Sequence, residues 1–269
     1  MEKFITLLKY IILSIIQGVG EILPISSSGH LLLVSKLFKI ETRGMRLELI
    51  LHLASLLALF IFYKKTIFKL VKGNYEYILK KNKEYVKEYK FMIGMIITLI
   101  PTCLVGYFLN DYLEYFISYS ILVGFFLVLN GLNLYLVNNK SGNKNIEDLK
   151  IKSFVKIGMG QCLGLLPGFS RSGSCLSMCY REKLNKEDSE KLTFMLLFPL
   201  VIGSIILNIK DFNFIKEEVI LLSISFIITF MVTLFSLRML NKIINSNKLH
   251  YFSVYCLIIG ILVMFIAWF

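Results

Sequence analysis

Charge is scarce in this chain and leans to one sign. Charged residues make up 18% of it, with 30 Lys and Arg against 18 Asp and Glu. With 56% hydrophobic residues and a mean hydropathy of +0.70, the composition excludes an ordinary soluble globular domain. Cysteine is sparse, odd in number and scattered: Cys103, Cys162, Cys175, Cys179 and Cys256 all sit in apolar segments. That pattern describes neither a disulfide framework nor a Cys-pair metal site, and the five read as small buried hydrophobes. The net charge of +12 invites nucleic acid, but most Lys falls between apolar runs, as membrane topogenesis produces, and no nucleic-acid partner is expected. The N-terminal apolar run has no small-residue cleavage site after it; Glu21, Pro24 and serines follow instead, so it is read as retained.

What the chain has is long apolar runs, near 47–63, 91–109, 117–137, 192–209, 217–237 and 251–269. Each approaches the roughly 20 residues a helix needs to cross ~30 Å of hydrocarbon, so six spans are expected. Two polar segments interrupt apolar sequence elsewhere: Gln17-Gly-Val-Gly-Glu21-Ile-Leu-Pro24-Ile-Ser26-Ser27-Ser28-Gly29-His30, and Gln161-Cys-Leu-Gly-Leu-Leu-Pro167-Gly-Phe-Ser170-Arg171-Ser172-Gly173. A shift of 144 residues superposes Gln17 on Gln161, Gly20 on Gly164, Ser26 on Ser170, Ser28 on Ser172 and Gly29 on Gly173 without a gap.

The apolar sequence flanking each copy is too short to span, so each is expected to be the tip of a helix-turn-helix that enters the bilayer and returns. Each half is then a re-entrant hairpin plus three spans. Because three is odd, the second half enters with opposite orientation. The expected fold is an all-α polytopic membrane protein with an inverted-topology repeat. It forms a single membrane domain, 1–269, with repeat 1 at about 1–137, a cytoplasmic linker at about 138–152 and repeat 2 at about 153–269. Basic residues test the layout. With the Lys64 to Lys90 stretch inside, so are 138–152, 181–191 and 238–250. Twenty basic residues then lie inside against eight outside, at 3, 9, 36, 39, 43, 46, 210 and 216.

An ionisable group at membrane depth is costly and points to function. Glu21 follows Gln17 by four residues, one helical face, and a carboxylate with an amide oxygen suits a hard divalent cation, Mg2+ or Ca2+. The alternative is that both satisfy loop amides. Ser27 precedes His30 by three, a nucleophile and a base within local reach; alternatively His30 is a hydrogen-bonded packing residue. Ser26 and Ser28 fit an anion nest or the cap of the next helix. Arg171, between Ser170 and Ser172, matches the fork geometry of a phosphate, its alternative being a structural partner such as Glu21. Glu48 and His52, at i and i+4, offer a further ligand or a buried pair.

Gln17-x-x-x-Glu21 with Pro24-Ile-Ser-Ser27-Ser-Gly29-His30, and Pro167-Gly-Phe-Ser170-Arg171-Ser172, resemble the two signature motifs of bacterial undecaprenyl-diphosphate phosphatases, also known as bacitracin resistance proteins. The likeness extends to Leu47 to Ala58 and Thr193 to Pro199. It implies hydrolysis of undecaprenyl diphosphate to undecaprenyl phosphate and inorganic phosphate at the outer face of the bacterial cytoplasmic membrane. That reaction recycles the lipid carrier for wall synthesis and confers bacitracin tolerance. It also implies a divalent cation, and a homodimer is a further partner to test. Two positions depart from the family's usual Thr, Ser28 and Cys175; Ser174 is the neighbouring hydroxyl available to replace the latter.

The expected roles are Ser27 as nucleophile, His30 as base, Glu21 and Gln17 as cation ligands with Glu48 as a further one, and Arg171 stabilising the transferred phosphoryl group. Ser26, Ser28, Ser170, Ser172 and Ser174 are expected against the phosphates. Activation of water by His30 or Glu21 is the variant mechanism. The competing class is an inverted-repeat transporter or flippase of an anionic prenyl lipid. A second phosphatase family that also uses Ser-Gly-His needs a nucleophilic His followed by Asp after its Arg; here only His250 follows, with no Asp after it.

Overall fold

Long runs of Leu, Ile, Phe and Val can hide their backbone polar groups in an apolar environment only by bonding them internally, and this chain does so as helices. The structure is a computed structural model, describing residues 2–39, 46–138, 140–207 and 218–268. In order the helices are α1 (Glu2–Gly20), α2 (Ser27–Leu37), α3 (Arg46–Leu79), α4 (Val86–Ser118), α5 (Ser120–Val137), α6 (Ile151–Cys162), α7 (Arg171–Arg181), α8 (Lys186–Met195), α9 (Leu197–Leu207), α10 (Val219–Asn245) and α11 (His250–Trp268). Among the described residues there is no strand beyond one isolated bridge, Lys144 with Leu184.

Six stretches of described helix are long and apolar enough to cross a membrane: Arg46–Leu79, Lys83–Leu109, Ser120–Val137, Lys186–Ile206, Val219–Asn245 and His250–Ala267. They fall on the six runs expected from sequence. The ends of three of those runs, at 208, 209, 217 and 269, and the basic residues Arg43, Lys210 and Lys216 lie outside the described residues.

Two features differ from a plain span-and-loop picture. First, α3 has 34 residues, about 51 Å of helix, and so outruns the hydrocarbon. The Lys-rich stretch after residue 63 continues as helix to Leu79 and packs on the start of α4, with Tyr77 stacked on Tyr89 (ring centroids 4.4 Å apart) and Lys69 3.2 Å from Glu88. Second, the span near 192–209 is broken at Leu196 into α8 and α9. Pro199, in the first turn of α9, has no N–H to continue the ladder from Met195, so the helix restarts there.

A continuous core runs between the halves, including Leu59, Phe91, Leu134, Ile157, Leu176, Tyr180, Leu192 and Leu237. A smaller cluster, Leu13, Leu31, Leu47, Leu51 and Leu222, joins α1 and α2 to α3 and α10. Helices α1 and α2 form one hairpin, and α6 and α7 a second. Their tips meet: a Cβ on Gly29 would lie 2.8 Å from the Gly168 Cα, and one on Gly173 3.1 Å from the Pro24 Cβ. Gly168 has φ +101, a conformation other residues rarely adopt, and a Cβ there would stand 2.3 Å from the Val123 carbonyl oxygen of α5.

Candidate active site

The site is built around one buried carboxylate. Glu21, one residue past the end of α1, has its side chain 3% exposed. Its Oε1 accepts from Arg171 Nη2 at the start of α7, in an ion pair that ties the two tips together. Its Oε2 accepts from Ser27 Oγ at 2.9 Å and from Gln17 Nε2 at 3.1 Å. His52 of α3 stands beside it, with Nδ1 3.6 Å from Glu21 Oε2 and 3.1 Å from Gln17 Nε2. A carboxylate at this depth is tolerable only because it is paired and hydrogen-bonded on both oxygens.

The helix starts supply the rest. Ser26 caps α2, its Oγ accepting from Gly29 N at 3.2 Å, and Ser170 caps α7 in the same way from Gly173 N at 3.1 Å. Ser26 does so at φ 71, a strained conformation for a residue with a Cβ. His30 holds that backbone. Its Nδ1 lies 2.9 Å from the Ser26 carbonyl, which can only accept, so Nδ1 carries the proton and Nε2 accepts from the Tyr255 hydroxyl at 2.9 Å. Ser170 and Ser172 are linked through their hydroxyls at 3.1 Å.

These groups face a cavity of about 330 Å³, near the lower end for small-molecule sites, lined on its polar side by Glu21, Ser26, Ser27, Ser28, His52, Ser170, Arg171 and Ser172. Its other wall is apolar, with Leu49 from α3, Leu165 and Phe169 from the second tip, and Leu200, Val201 and Ile205 from α9. A polar head with an apolar tail fits that division, and the start of a helix is a favourable place for an anion.

Not every residue marked in the sequence reaches this cavity. The hydroxyl of Ser27 lies on Glu21 and not on His30, whose two ring nitrogens are taken by Ser26 and Tyr255. Ser174 is buried, donates to the Arg171 carbonyl at 2.9 Å and is absent from the cavity wall. Glu48 is exposed at the start of α3 and also lies off the wall, whereas His52, one turn on, is part of it. Cys175 is buried and makes no part of the lining. Conversely, Asn130 and Tyr255 touch the site's framework although no motif marks them. Asn130 carried a signal, an amide inside an apolar run, while Tyr255 looks like any interfacial tyrosine.

The donors for a hard cation are few. Among the described residues no group of three His, Cys, Asp or Glu could hold a metal ion. Yet Gln17, fully buried, has its Oε1 without a hydrogen-bond partner, one helical turn from Glu21. Gln17 turns its Nε2 to Glu21 and lies off the cavity wall, so of the expected ligands Glu21 alone faces the cavity; one carboxylate fits an ion such as Mg2+ that takes most of its ligands from phosphate and water.

Fold and site together define a polytopic membrane protein equipped for phosphoryl transfer on an amphipathic anion: a serine on a carboxylate, an arginine opposite, and an apolar wall beside them. The family follows from comparison. The chain belongs to the family described as bacitracin resistance protein BacA, whose model matches residues 10–262. It is 33% identical over 268 residues to undecaprenyl-diphosphatase 2 of Bacillus thuringiensis (strain Al Hakam), covering 98% of this chain and 99% of that one. It is 34% identical over 269 residues to the undecaprenyl-diphosphatase of Oceanobacillus iheyensis, covering 98% of each. With undecaprenyl-diphosphatase 1 of Shouchella clausii it shares 33% identity over 266 residues, 96% of this chain and 95% of the other.

Proposed function

We propose that this chain hydrolyses undecaprenyl diphosphate to undecaprenyl phosphate and inorganic phosphate at the outer face of the bacterial cytoplasmic membrane, recycling the lipid carrier and conferring bacitracin tolerance. The observation that carries the reading is the single carboxylate of Glu21, shared by a serine hydroxyl and an arginine at the polar end of a half-apolar cavity. Relatives that match this chain over nearly its whole length bear the undecaprenyl-diphosphatase name.

The chemistry follows from the partners. The terminal phosphate draws the Arg171 guanidinium away from Glu21, because a phosphate offers the fork more charge and more acceptors than one carboxylate oxygen. Glu21, freed on Oε1, takes the proton that Ser27 Oγ already points at its Oε2, and the oxygen attacks the terminal phosphorus. The Oγ–P bond forms as the bridging P–O bond breaks, and undecaprenyl phosphate leaves. Arg171 and the Ser170–Ser172 hydroxyls stabilise the transferred oxygens, the largest contribution such a site makes. Water then attacks the phosphoserine, and Glu21 returns its proton to Ser27.

His30, which the motif suggested as the base, acts here as a positioning residue. With Tyr255 it holds Ser26 at its strained φ and so aims Ser27 at Glu21. Glu21, the one expected ligand on the cavity wall, would hold a divalent cation, Mg2+ or Ca2+, which when bound would supply positive charge against the diphosphate.

The topology belongs to the same proposal. We infer that both hairpins are re-entrant, each followed by three spans, with repeats at about 1–137 and 153–269. Helices of 11 and 12 residues in α2, α6 and α7 reach only about 17–18 Å, short of ~30 Å of hydrocarbon; α1, longer than the sequence suggested at 19 residues, reaches about 28 Å and ends at the tip, so the return arm α2 carries the reading for the first hairpin. The charge bias puts the opening of the first hairpin outside.

The test is phosphate release from undecaprenyl diphosphate by purified protein in detergent, with and without chelator, alongside Ser27→Ala, Glu21→Ala and Arg171→Ala. Loss in all three variants and with chelator is expected. Full activity in Arg171→Ala and Glu21→Ala would remove this site, and near-normal turnover in Ser27→Ala would leave only direct attack by water.

A further inference from the structure

The two tips that make the site come from segments about 140 residues apart in sequence, and one side chain touches both. Asn130, in the middle of α5, is fully buried. Its Nδ2 donates to the Pro24 carbonyl of the first tip at 2.9 Å, and its Oδ1 accepts from the Ser170 N–H of the second at 3.2 Å. The orientation of the amide is fixed by its partners: a carbonyl needs the NH2 end and an N–H needs the oxygen. Both backbone groups lie at irregular turns, where no helical ladder would satisfy them.

The mount is stiff. Helix α5 is pinned to α11 one residue further on, where Ser253 Oγ donates to the Gly131 carbonyl at 2.7 Å, and Cys256 Sγ of α11 packs 3.4 Å from Asn130 Nδ2. Pro24 is two residues from Ser26, the cap of the nucleophile's helix, and Ser170 immediately precedes Arg171. A fixed amide bridging the two therefore sets how far Ser27 stands from Arg171.

We propose that Asn130 is a positioning residue for phosphoryl transfer, a clamp that holds the two tips in the one register at which Ser27 and Arg171 can meet the same phosphate. This rests on the phosphatase reading for its catalytic consequence, though not for the clamp itself. The clamp needs a donor and an acceptor on one short side chain. Asp, ionised, keeps the link to Ser170 and loses the donor to Pro24; Leu, with the same branched outline and no polar atom, loses both. Asn133, one turn along the same helix, makes the matching control, because it bonds Ser177 and Arg181 of α7 away from the tips.

The experiment compares wild type, Asn130→Asp, Asn130→Leu and Asn133→Asp, purified in detergent, by kcat and KM on undecaprenyl diphosphate and by backbone amide exchange of peptides covering 22–28 and 168–174. A displacement near 1 Å at a reacting pair costs about 100-fold, so Asn130→Leu is expected to lose about that in kcat, and Asn130→Asp about ten-fold. KM should stay within about three-fold in both, since the apolar wall is untouched. Exchange should rise in both peptides for Leu, in 22–28 alone for Asp, and in neither for Asn133→Asp, which keeps wild-type kcat. Wild-type kcat in Asn130→Leu, or unchanged exchange in both peptides, overturns the clamp. If Leu does not fold, the Asp variant decides by the same two readouts. A wild-type protein that releases no phosphate would sink the phosphatase reading, while the exchange data would still judge the clamp.

Discussion

The ion pair at the centre of the site separates stability from catalysis in a measurable way. Glu21 is 3% exposed in its side chain and Arg171 is 23% exposed, so the two partners have unequal access to water. Arg171→Met leaves a buried carboxylate without its countercharge, for which breaking a buried pair costs about 3–5 kcal/mol. Glu21 keeps hydrogen bonds from Ser27 and Gln17, which places the cost near the lower end, about 3 kcal/mol. Glu21→Gln leaves a guanidinium that still reaches the cavity, and about 1–2 kcal/mol is expected. The double variant carries neither charge, so its loss should be about 1–2 kcal/mol, well short of the roughly 4–5 kcal/mol that independent effects would sum to.

The assay is denaturant unfolding in mixed micelles for the four proteins, with phosphate release measured on the same samples. The double variant should recover about 3 kcal/mol of coupling while turnover stays depressed by at least about 1,000-fold, because arginine stabilisation of a transferring phosphoryl group contributes on that order. Additive destabilisation would refute the pairing, and recovered turnover in the double variant would refute the catalytic roles.

Three further outcomes test the frame around the pair. Gly168→Ala combines a positive φ with a Cβ 2.3 Å from the Val123 carbonyl oxygen; it should lower stability by about 2 kcal/mol or more and cut turnover, and unchanged melting would contradict the tip geometry. Gly164→Ala puts a methyl 2.3 Å from the Arg171 Cα, and Gly20→Ala puts one 2.8 Å from the Ser27 Cα. Each should reduce kcat by about ten-fold or more at comparable expression, and wild-type kinetics in both would show that these contacts do not set the reacting pair. Ser204→Trp, at an exposed position on the α9 wall, should raise KM for the long prenyl diphosphate by about ten-fold with kcat retained and spare a short-chain analogue.

How much of this was legible depended on how local each cause was. The six spans were readable because each is a self-contained apolar run. The break at Leu196 was also local, since Pro199 stands in the run, but a hydropathy window averages over it. Glu21 and Arg171 stood out as ionisable groups in apolar sequence, and their pairing was one of two open readings. The spacing of Ser27 and His30 misled because it measured only distance along a helix. As α2 begins at Ser27, its hydroxyl turns back to Glu21, while His30 is drawn to Tyr255, 225 residues further along the chain. That partner leaves no trace near the motif. Asn130 did leave one, an amide that an apolar span would not carry without a bonding partner.

The repeat explains why the chemistry is divided as it is. Helix α2 starts at Ser27 and α7 at Arg171, equivalent positions under the 144-residue shift, and the equivalent glycines Gly20 and Gly164 each lie against the Cα of that first residue. The proposed nucleophile and the proposed phosphate-holding cation thus stand at equivalent positions of the two copies. The residue that serves both is not duplicated: Glu21 has Leu165 as its counterpart. Identical halves could not do this. Two carboxylates would repel a diphosphate, two arginines would leave no nucleophile, and two serines would leave developing charge unopposed. In the proposed inverted repeat, a site between the two tips gains a position on each side of the phosphorus from the duplication. It can use them only once the two positions carry different side chains.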